Sequence, residues 1–261
     1  MKDKKDSFLT DIKDFLDEKV LQYNNPDFID CDPISVPHRF SAKEDIEIAG
    51  FLAATFAWGQ RITTIKKAIH LISLLDERPY DFVLNHQESD LKVLQKFTHR
   101  TFNGQDAIFF IQALQSVYRN HGGMEALFSK WIEDNSVFPA IQHLHDLFAS
   151  FPHERRSMKH VANPSKGSAA KRINMFLRWM VRNDNKGVDF GLWKSISPSV
   201  LSCPLDLHSG NVARKLGLLT RKQSDSKAVN ELDEKLRILD PEDPVKYDFA
   251  LFGLGVFERF G

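Results

Sequence analysis

Lys166-Gly167-Ser168-Ala169-Ala170-Lys171 and Pro204-Leu205-Asp206-Leu207-His208 decide how this chain is read. The first stretch puts a glycine turn and an amine at one spot, ahead of an amphipathic segment that runs to Val181. The second presents a carboxylate just after a proline, at the expected start of a helix. An amine nucleophile with a carboxylate nearby is a workable pair for Schiff-base chemistry. Each residue also has a plainer reading. Lys171 can be a solvated helix lysine, and Asp206 can be an N-cap, a position aspartate favours.

Between and around these stretches the pattern is helical. Ala169, Ala170, Ile173, Phe176, Leu177, Met180 and Val181 fall on one face of a helix over 169–181, while Lys171, Asn174, Met175, Arg178 and Arg182 fall on another. The first group should face the core and leave a basic face free. Upstream, Phe8, Ile12, Phe15 and Leu16 recur at helical spacing. Ser41 with Glu44 reads as a capping box that opens a helix through Phe56, ended by Gly59. Ile62, Ile65, Ile69 and Ile72 predict the next helix, and 106–118 another, stopped by His121-Gly122-Gly123. Helical patterns follow over 124–131 and 137–151. Phe190 to Ile196 reads as a short helix or turn, Ser209 to Leu216 as a helix closed by Gly217, and Asp240 to Pro244 as the turn that launches a last helix over 245–257. Strand-like alternation is scarce, so the fold class expected is all-α.

The 261 residues suffice for one large domain or two small ones. We expect a single helical unit over 1–261 with two lobes and a cleft between them: a central lobe, 46–152, and a second made of 1–45 plus 153–261, with the apolar-poor stretch 153–166 as a hinge. Charged residues at 27% and hydrophobic residues at 42% are ordinary for a globular chain. No 18-residue apolar run is present, so no membrane span is expected, and the charged start Met1-Lys2-Asp3-Lys4-Lys5-Asp6 does not resemble a signal peptide. Two cysteines, Cys31 and Cys203, argue against a disulfide framework and for the cytoplasm. They also cannot hold a four-cysteine cluster. No metal site and no cofactor are expected: there is no His-x-x-x-His with an acid partner and no Walker-type loop.

Net charge is zero but unevenly spread. Residues 151–182 carry eight Lys/Arg against one acid, for +7, whereas 225–248 carry four against eight, for −4, and 1–30 five against eight, for −3. A neutral total can therefore hide a basic face suited to nucleic acid. Equally, the cations can be scattered over a solvated surface.

These residues resemble a known family. Gly167-Ser168-Ala169-Ala170-Lys171 is similar to the Gly-x-Gly-x-Lys turn that opens the second helix of the hairpin in the helix–hairpin–helix DNA glycosylase superfamily. Pro204-Leu205-Asp206-Leu207-His208 resembles that superfamily's Val-Asp-Thr-His element. Leu52 to Gln60 resembles its helix ending in a Ser-x-Gln-type turn, and Tyr247 to Gly255 its closing helix. The four elements keep their order across 46–256. The chain looks closer still to a bacterial family without an assigned function, through Trp58-Gly59-Gln60-Arg61, Asn174-Met175-Phe176-Leu177-Arg178-Trp179-Met180 and Pro244-Val245-Lys246-Tyr247-Asp248-Phe249-Ala250-Leu251, with a likeness to archaeal 8-oxoguanine DNA glycosylases. It departs from the superfamily in three ways. Ala169 replaces the second hairpin glycine, Lys171 and Asp206 are further apart because of the extra length at 183–202, and the four-cysteine cluster of some members is absent.

The resemblance implies a base-excision glycosylase with abasic-site lyase activity, acting as a monomer on duplex DNA that carries a damaged base, an oxidised purine first. Lys171 would attack C1′ of the flipped nucleotide, and Asp206 would stabilise the oxocarbenium-like transition state. Lys166, Gly167, Ser168 and Ala169 would meet phosphate at a helix N-terminus. Arg172 and Arg178 would bind nucleic acid and, with Lys166, supply a positive surround for Lys171, and His208 would orient Asp206 or touch phosphate. Gln60 would fill the gap left by the flipped base, and Arg61 would reach phosphate or the orphan base. Trp193, Phe249 and Phe252 would line a base pocket, although with 21 Phe in the chain core packing is the competing role. The alternative class is a DNA- or RNA-binding helix–hairpin–helix protein without catalysis, and a helical protein scaffold is a third.

Overall fold

A computed structural model describes the backbone of residues 2–260 and the side chains of 10–260, so the side chain of Phe8 lies outside the described residues. The described residues are mostly helical, as the periodicity predicts. In chain order the α-helices are α1 (Lys2–Tyr23), α2 (Asp27–Asp30), α3 (Lys43–Thr55), α4 (Arg61–Ser73), α5 (Pro79–Asn85), α6 (Gly104–Asn120), α7 (Met124–Ser129), α8 (Phe138–Ala149), α9 (Lys171–Val181), α10 (Leu207–Lys215), α11 (Ser226–Leu239) and α12 (Tyr247–Val256). Two strands of two residues each, Thr98–His99 and Phe102–Asn103, pair antiparallel. No helix among the described residues is long and apolar enough to cross a membrane. The chain forms two compact units: one of 1–28 with 164–261, the other of 29–163.

The 29–163 unit is built on phenylalanine. α3 is buried from Ile46 to Thr55, and Phe51 stacks on Phe110 with centroids 6.0 Å apart. Phe56 meets Phe97 at 5.5 Å and Phe102 at 4.9 Å, and Phe148 closes on Phe110 at 5.2 Å. Such tilted and offset ring pairs add to the large area each ring buries. The expected Ser41–Glu44 capping box does not form: α3 opens at Lys43 behind Ala42, with no side-chain cap. The box is at α6 instead, where Asn103 Oδ1 accepts from the Asp106 amide (3.2 Å) and Asp106 Oδ2 accepts from the Asn103 amide (2.8 Å). The isoleucine stripe of α4 is also corrected. Thr64, Ala68, Leu71 and Ile72 are its buried residues, and Ile62 is exposed.

In the other unit α9 is the core element, buried from Ile173 to Val181 on every face. α12 packs against α1 and α10 through glycines. A Cβ on Gly253 would lie 2.1 Å from the Tyr23 ring, and one on Gly255 would lie 3.0 Å from His208 Cβ and 3.1 Å from its carbonyl oxygen. The close helix approach thus depends on the missing methyl groups. Gly253→Ala is expected to overpack this contact and cost about 1–3 kcal/mol, read as a lower denaturant midpoint at unchanged slope.

Candidate active site

The turn ahead of Lys171 is tied down by backbone and side-chain bonds. The Gly167 amide donates to Pro164 O (2.8 Å), and Gly167 O accepts from the Ser226 amide at the start of α11 (3.1 Å). Gly167 has φ +83, where a Cβ would be strained, and Ala170 takes up the left-handed conformation at φ 49, ψ 30. Ser168 Oγ accepts from the Ala170 amide (3.1 Å), and the buried Asn174 side chain donates to Ala169 O (3.1 Å). Lys171 is therefore the first residue of α9, set by a turn with little freedom. The turn is entered from a single 3-10 helix, Pro164–Lys166. No α-helix among the described residues leads directly into the turn.

Asp206 caps α10. Its Oδ1 accepts from the Ser209 amide (3.0 Å) and hydroxyl (3.2 Å), and its own amide donates to Ser209 Oγ (2.9 Å). One oxygen is thus committed to the cap. The other, Oδ2, lies 3.7 Å from Lys171 Nζ, with the two side chains 27% and 23% exposed. Two helix N-termini, each a positive dipole end, therefore meet around an amine and a carboxylate that solvent reaches.

A second carboxylate lies beneath. Asp248, buried at the start of α12, takes a charge-assisted hydrogen bond from Arg178 Nη1. Burial pushes its carboxyl up to about 6; Arg178 opposes this, the negative charge of Asp206 adds to it, and Lys171 opposes it. Arg178 Nε also donates to Asp189 Oδ1 (3.2 Å). Arg182 bonds Asp189 (3.0 Å), Asp184 (2.6 Å) and Asp243 (2.9 Å). Phe249 lies 4.2 Å from the Arg178 guanidinium carbon and 5.3 Å from Phe28.

These contacts correct the reading of a free basic face. Asn174, Met175, Arg178 and Arg182 are all buried, and the two arginines are neutralised by Asp184 and Asp189 nearby and by Asp243 and Asp248 far along the chain. Arg178 is therefore not a nucleic-acid contact in this structure. Trp193 and Phe249 are core residues as well, about 1% and 0% exposed, with Trp193 edge-on to Phe176 at 5.4 Å. Neither lines a base pocket here. Phe252 is half-buried beside Phe28 at 5.9 Å. Lys166 and His208 are exposed, while Gly167, Ser168 and Ala169 are half-buried. Arg172 is half-buried too; burial pushes its guanidinium down to about 10, so it stays charged at neutral pH.

Gln60 and Arg61 belong to the 29–163 unit. Gln60 is exposed and precedes α4, and Arg61 is the first residue of that helix. Gly59 has φ +93, and a Cβ there would lie 2.3 Å from the Arg100 guanidinium. Trp58 stacks on His160 at 5.6 Å and lies 4.9 Å from His99, which fixes the turn from behind. No cluster of three or more metal-ligating side chains occurs among the described residues.

Asp248, Asp189 and Asp233 were not singled out from sequence. The usable signal was a charge inside an apolar run, Tyr247-Asp248-Phe249-Ala250-Leu251, because a buried charge needs a partner.

Over residues 32–257 the sequence matches the family described as protein of unknown function (DUF2400). The chain belongs to that family. Residues 58–61, 174–180 and 244–251, and with them Lys171 and Asp206, all lie inside the family's span. No curated protein and no solved structure matches the chain.

The buried acids set a pH profile for the fold. Asp248 and Asp233, the latter pushed by burial up to about 7, bind protons more tightly folded than unfolded. Their contribution is full below the ordinary aspartate range and is lost as pH rises through about 6 to 7. Asp17, Asp184 and Asp240 are held low by Lys246, Arg182 and other partners, so theirs is present above that range and lost as pH falls. The thermal midpoint is therefore expected to peak near about pH 5 and decline towards pH 8. Asp233→Asn should raise it at pH 8 and not at pH 5. A midpoint that climbs steadily to pH 8 would contradict this assignment.

Proposed function

We propose that this protein is a helix–hairpin–helix glycosylase-like enzyme that removes a damaged base from duplex DNA and then opens the abasic site. The observation that carries the reading is the approach of Lys171 Nζ to Asp206 Oδ2 at 3.7 Å, where two helix N-termini meet. In this reading a monomer is the working unit and the cytoplasm is the compartment.

The chemistry follows from the pair. Asp206 Oδ2 takes a proton from Lys171, and the neutral amine attacks C1′ of the nucleotide. The C1′–N bond breaks, and its electron pair leaves with the base, which takes up a proton. The amine then expels O4′ from C1′, giving a protonated imine and a ring-opened sugar with an O4′ hydroxyl. Loss of a C2′ proton, with Asp206 or water as acceptor, ejects the 3′ phosphate by β-elimination. The departing base takes its proton from Asp206, which, again a carboxylate, stabilises the positive charge that develops on the sugar across the short gap. Lys166, Arg172 and the first-turn amides of α9 offer phosphate contacts that carry no sequence information, as a lesion searcher requires.

The test is borohydride trapping on duplexes carrying 8-oxoguanine, uracil, hypoxanthine or an abasic site. Borohydride reduces the imine to a stable amine, so wild type should form a covalent adduct with at least one substrate, and Lys171→Gln should form none while still binding DNA. An equal adduct in Lys171→Gln would overturn the assignment of the nucleophile. Base release without an adduct would replace it with a water-dependent glycosylase, and DNA binding with neither would favour the non-catalytic binding protein.

A further inference from the structure

Asp206 is preceded by a stretch that has to be buried without regular structure. After the 3-10 turn Pro198–Val200 the chain runs through Leu201, Ser202, Cys203, Pro204 and Leu205, all buried. Backbone polar groups in such a stretch need partners from elsewhere. One helix supplies two of them, and a third for the turn just before. On α11, Asp233 Oδ1 accepts the Cys203 amide at 2.9 Å, Arg237 Nε donates to Ser199 O at 3.1 Å, and Arg237 Nη2 donates to Leu201 O at 2.9 Å. Asp233 and Arg237 are four residues apart, one helical turn, and so present a carboxylate and a guanidinium side by side.

We infer that Asp233 and Arg237 form a clamp that sets the 199–203 segment, and through it fixes Asp206 against Lys171. This rests on the glycosylase reading for its catalytic consequence, though not for the clamp itself. The last clamped amide, that of Cys203, is three residues from Asp206. Pro204, with its fixed φ and no amide hydrogen, stiffens the connection. The Lys171–Asp206 gap of 3.7 Å leaves little tolerance, because a displacement of about 1 Å in a reacting group can cost about a hundredfold in rate. Burial at this position pushes the Asp233 carboxyl up to about 7, which agrees with an acid kept in the interior for its bond to the segment.

Cys203 is a reporter within the clamp. It is fully buried, whereas Cys31 is exposed. In a Cys31→Ser background, native-state alkylation of Cys203 by iodoacetamide reads how firmly the segment is held, and the single-turnover rate of borohydride-trappable adduct reads the position of Asp206. Arg237→Met is expected to raise Cys203 alkylation about tenfold or more and to slow adduct formation about a hundredfold, with DNA affinity within about twofold of wild type. Asp233→Leu should act alike, and Asp233→Asn, which keeps the Oδ1 acceptor, should restore both readouts most of the way. Folded Arg237→Met protein with wild-type alkylation and adduct rates overturns the clamp. If wild type forms no adduct on any substrate, the glycosylase reading fails by itself and the clamp is judged on thiol protection: unchanged protection in Arg237→Met overturns it.

Discussion

Under the proposed glycosylase reading, Asp206→Asn is expected to leave the fold in place and to slow imine formation by about 10²- to 10⁴-fold. The two oxygens of Asp206 have different jobs. Oδ1 accepts from the Ser209 amide and hydroxyl, and an asparagine Oδ1 does the same, since asparagine caps helices as well as aspartate does. Oδ2 faces Lys171 Nζ, and an amide nitrogen there can neither take the lysine proton nor stabilise a cationic sugar. The lost ion pair is partly exposed and contributes at most about 1 kcal/mol to stability. Asp206→Ala removes the cap as well and should cost about 1 kcal/mol more. Thermal midpoints and single-turnover adduct rates for the pair of variants separate the two roles. An Asn variant that traps DNA at the wild-type rate would reduce Asp206 to a helix cap.

Arg178→Met is expected to destabilise the protein by about 3–5 kcal/mol, the largest effect of any single substitution considered. Arg178 is 3% exposed and bridges Asp189 and Asp248, whose side chains are 0% and 7% exposed. Methionine fills much of the space but leaves a buried carboxylate without its partner. Arg182 still holds the other oxygen of Asp189, so Asp248 takes most of the loss. Asp248 can escape by protonation, which its already raised pKa makes easy, so the penalty should be larger at pH 8 than at pH 5. Arg178→Met with Asp248→Asn should then recover part of the loss, and the coupling in that double-mutant cycle measures the pair. Arg178→Lys should not rescue, since one ammonium cannot bridge two carboxylates as the guanidinium fork does. Denaturant unfolding at both pH values decides it; a loss below about 1 kcal/mol at pH 8 would mean that the network relaxes around the gap.

Some of this could be read along the chain. The helical period, the stop at Gly217 (φ +71) and the scarcity of strands are local properties, and they gave the fold class. The Lys171–Asp206 pair came from motif resemblance, because nothing in spacing alone says that residues on two helices will face each other. Reading failed where a side chain's state depends on distant partners. Arg178 and Arg182 have the periodicity of a solvated basic face, yet the aspartates at 184, 189, 243 and 248 pair them inside the core. Ile62 matches an apolar stripe and is exposed, because the neighbours of α4 cover the Thr64–Ala68–Leu71 side instead. The stretch 225–248 stands out in the sequence for its acidity, yet within it Val229, Leu232, Leu236 and Leu239 form a buried helical stripe behind the Asp225 cap.

What the sequence by itself determined, then, is the alphabet of elements: helices of given period, turns at glycines and prolines, a cap at Asp206, an amine at the start of α9. Those follow from interactions within a few residues, where backbone sterics and periodicity act directly. Only the tertiary structure decided which charges are free and which are spent. It took Arg178 and Arg182 out of a run of +7 into a buried ion network, left Lys171 facing Asp206 Oδ2, and put Asp233 and Arg237 on the segment leading to it. The physical reason is that desolvation and pairing are set by whatever packs alongside, and those partners lie up to 70 residues away in the chain.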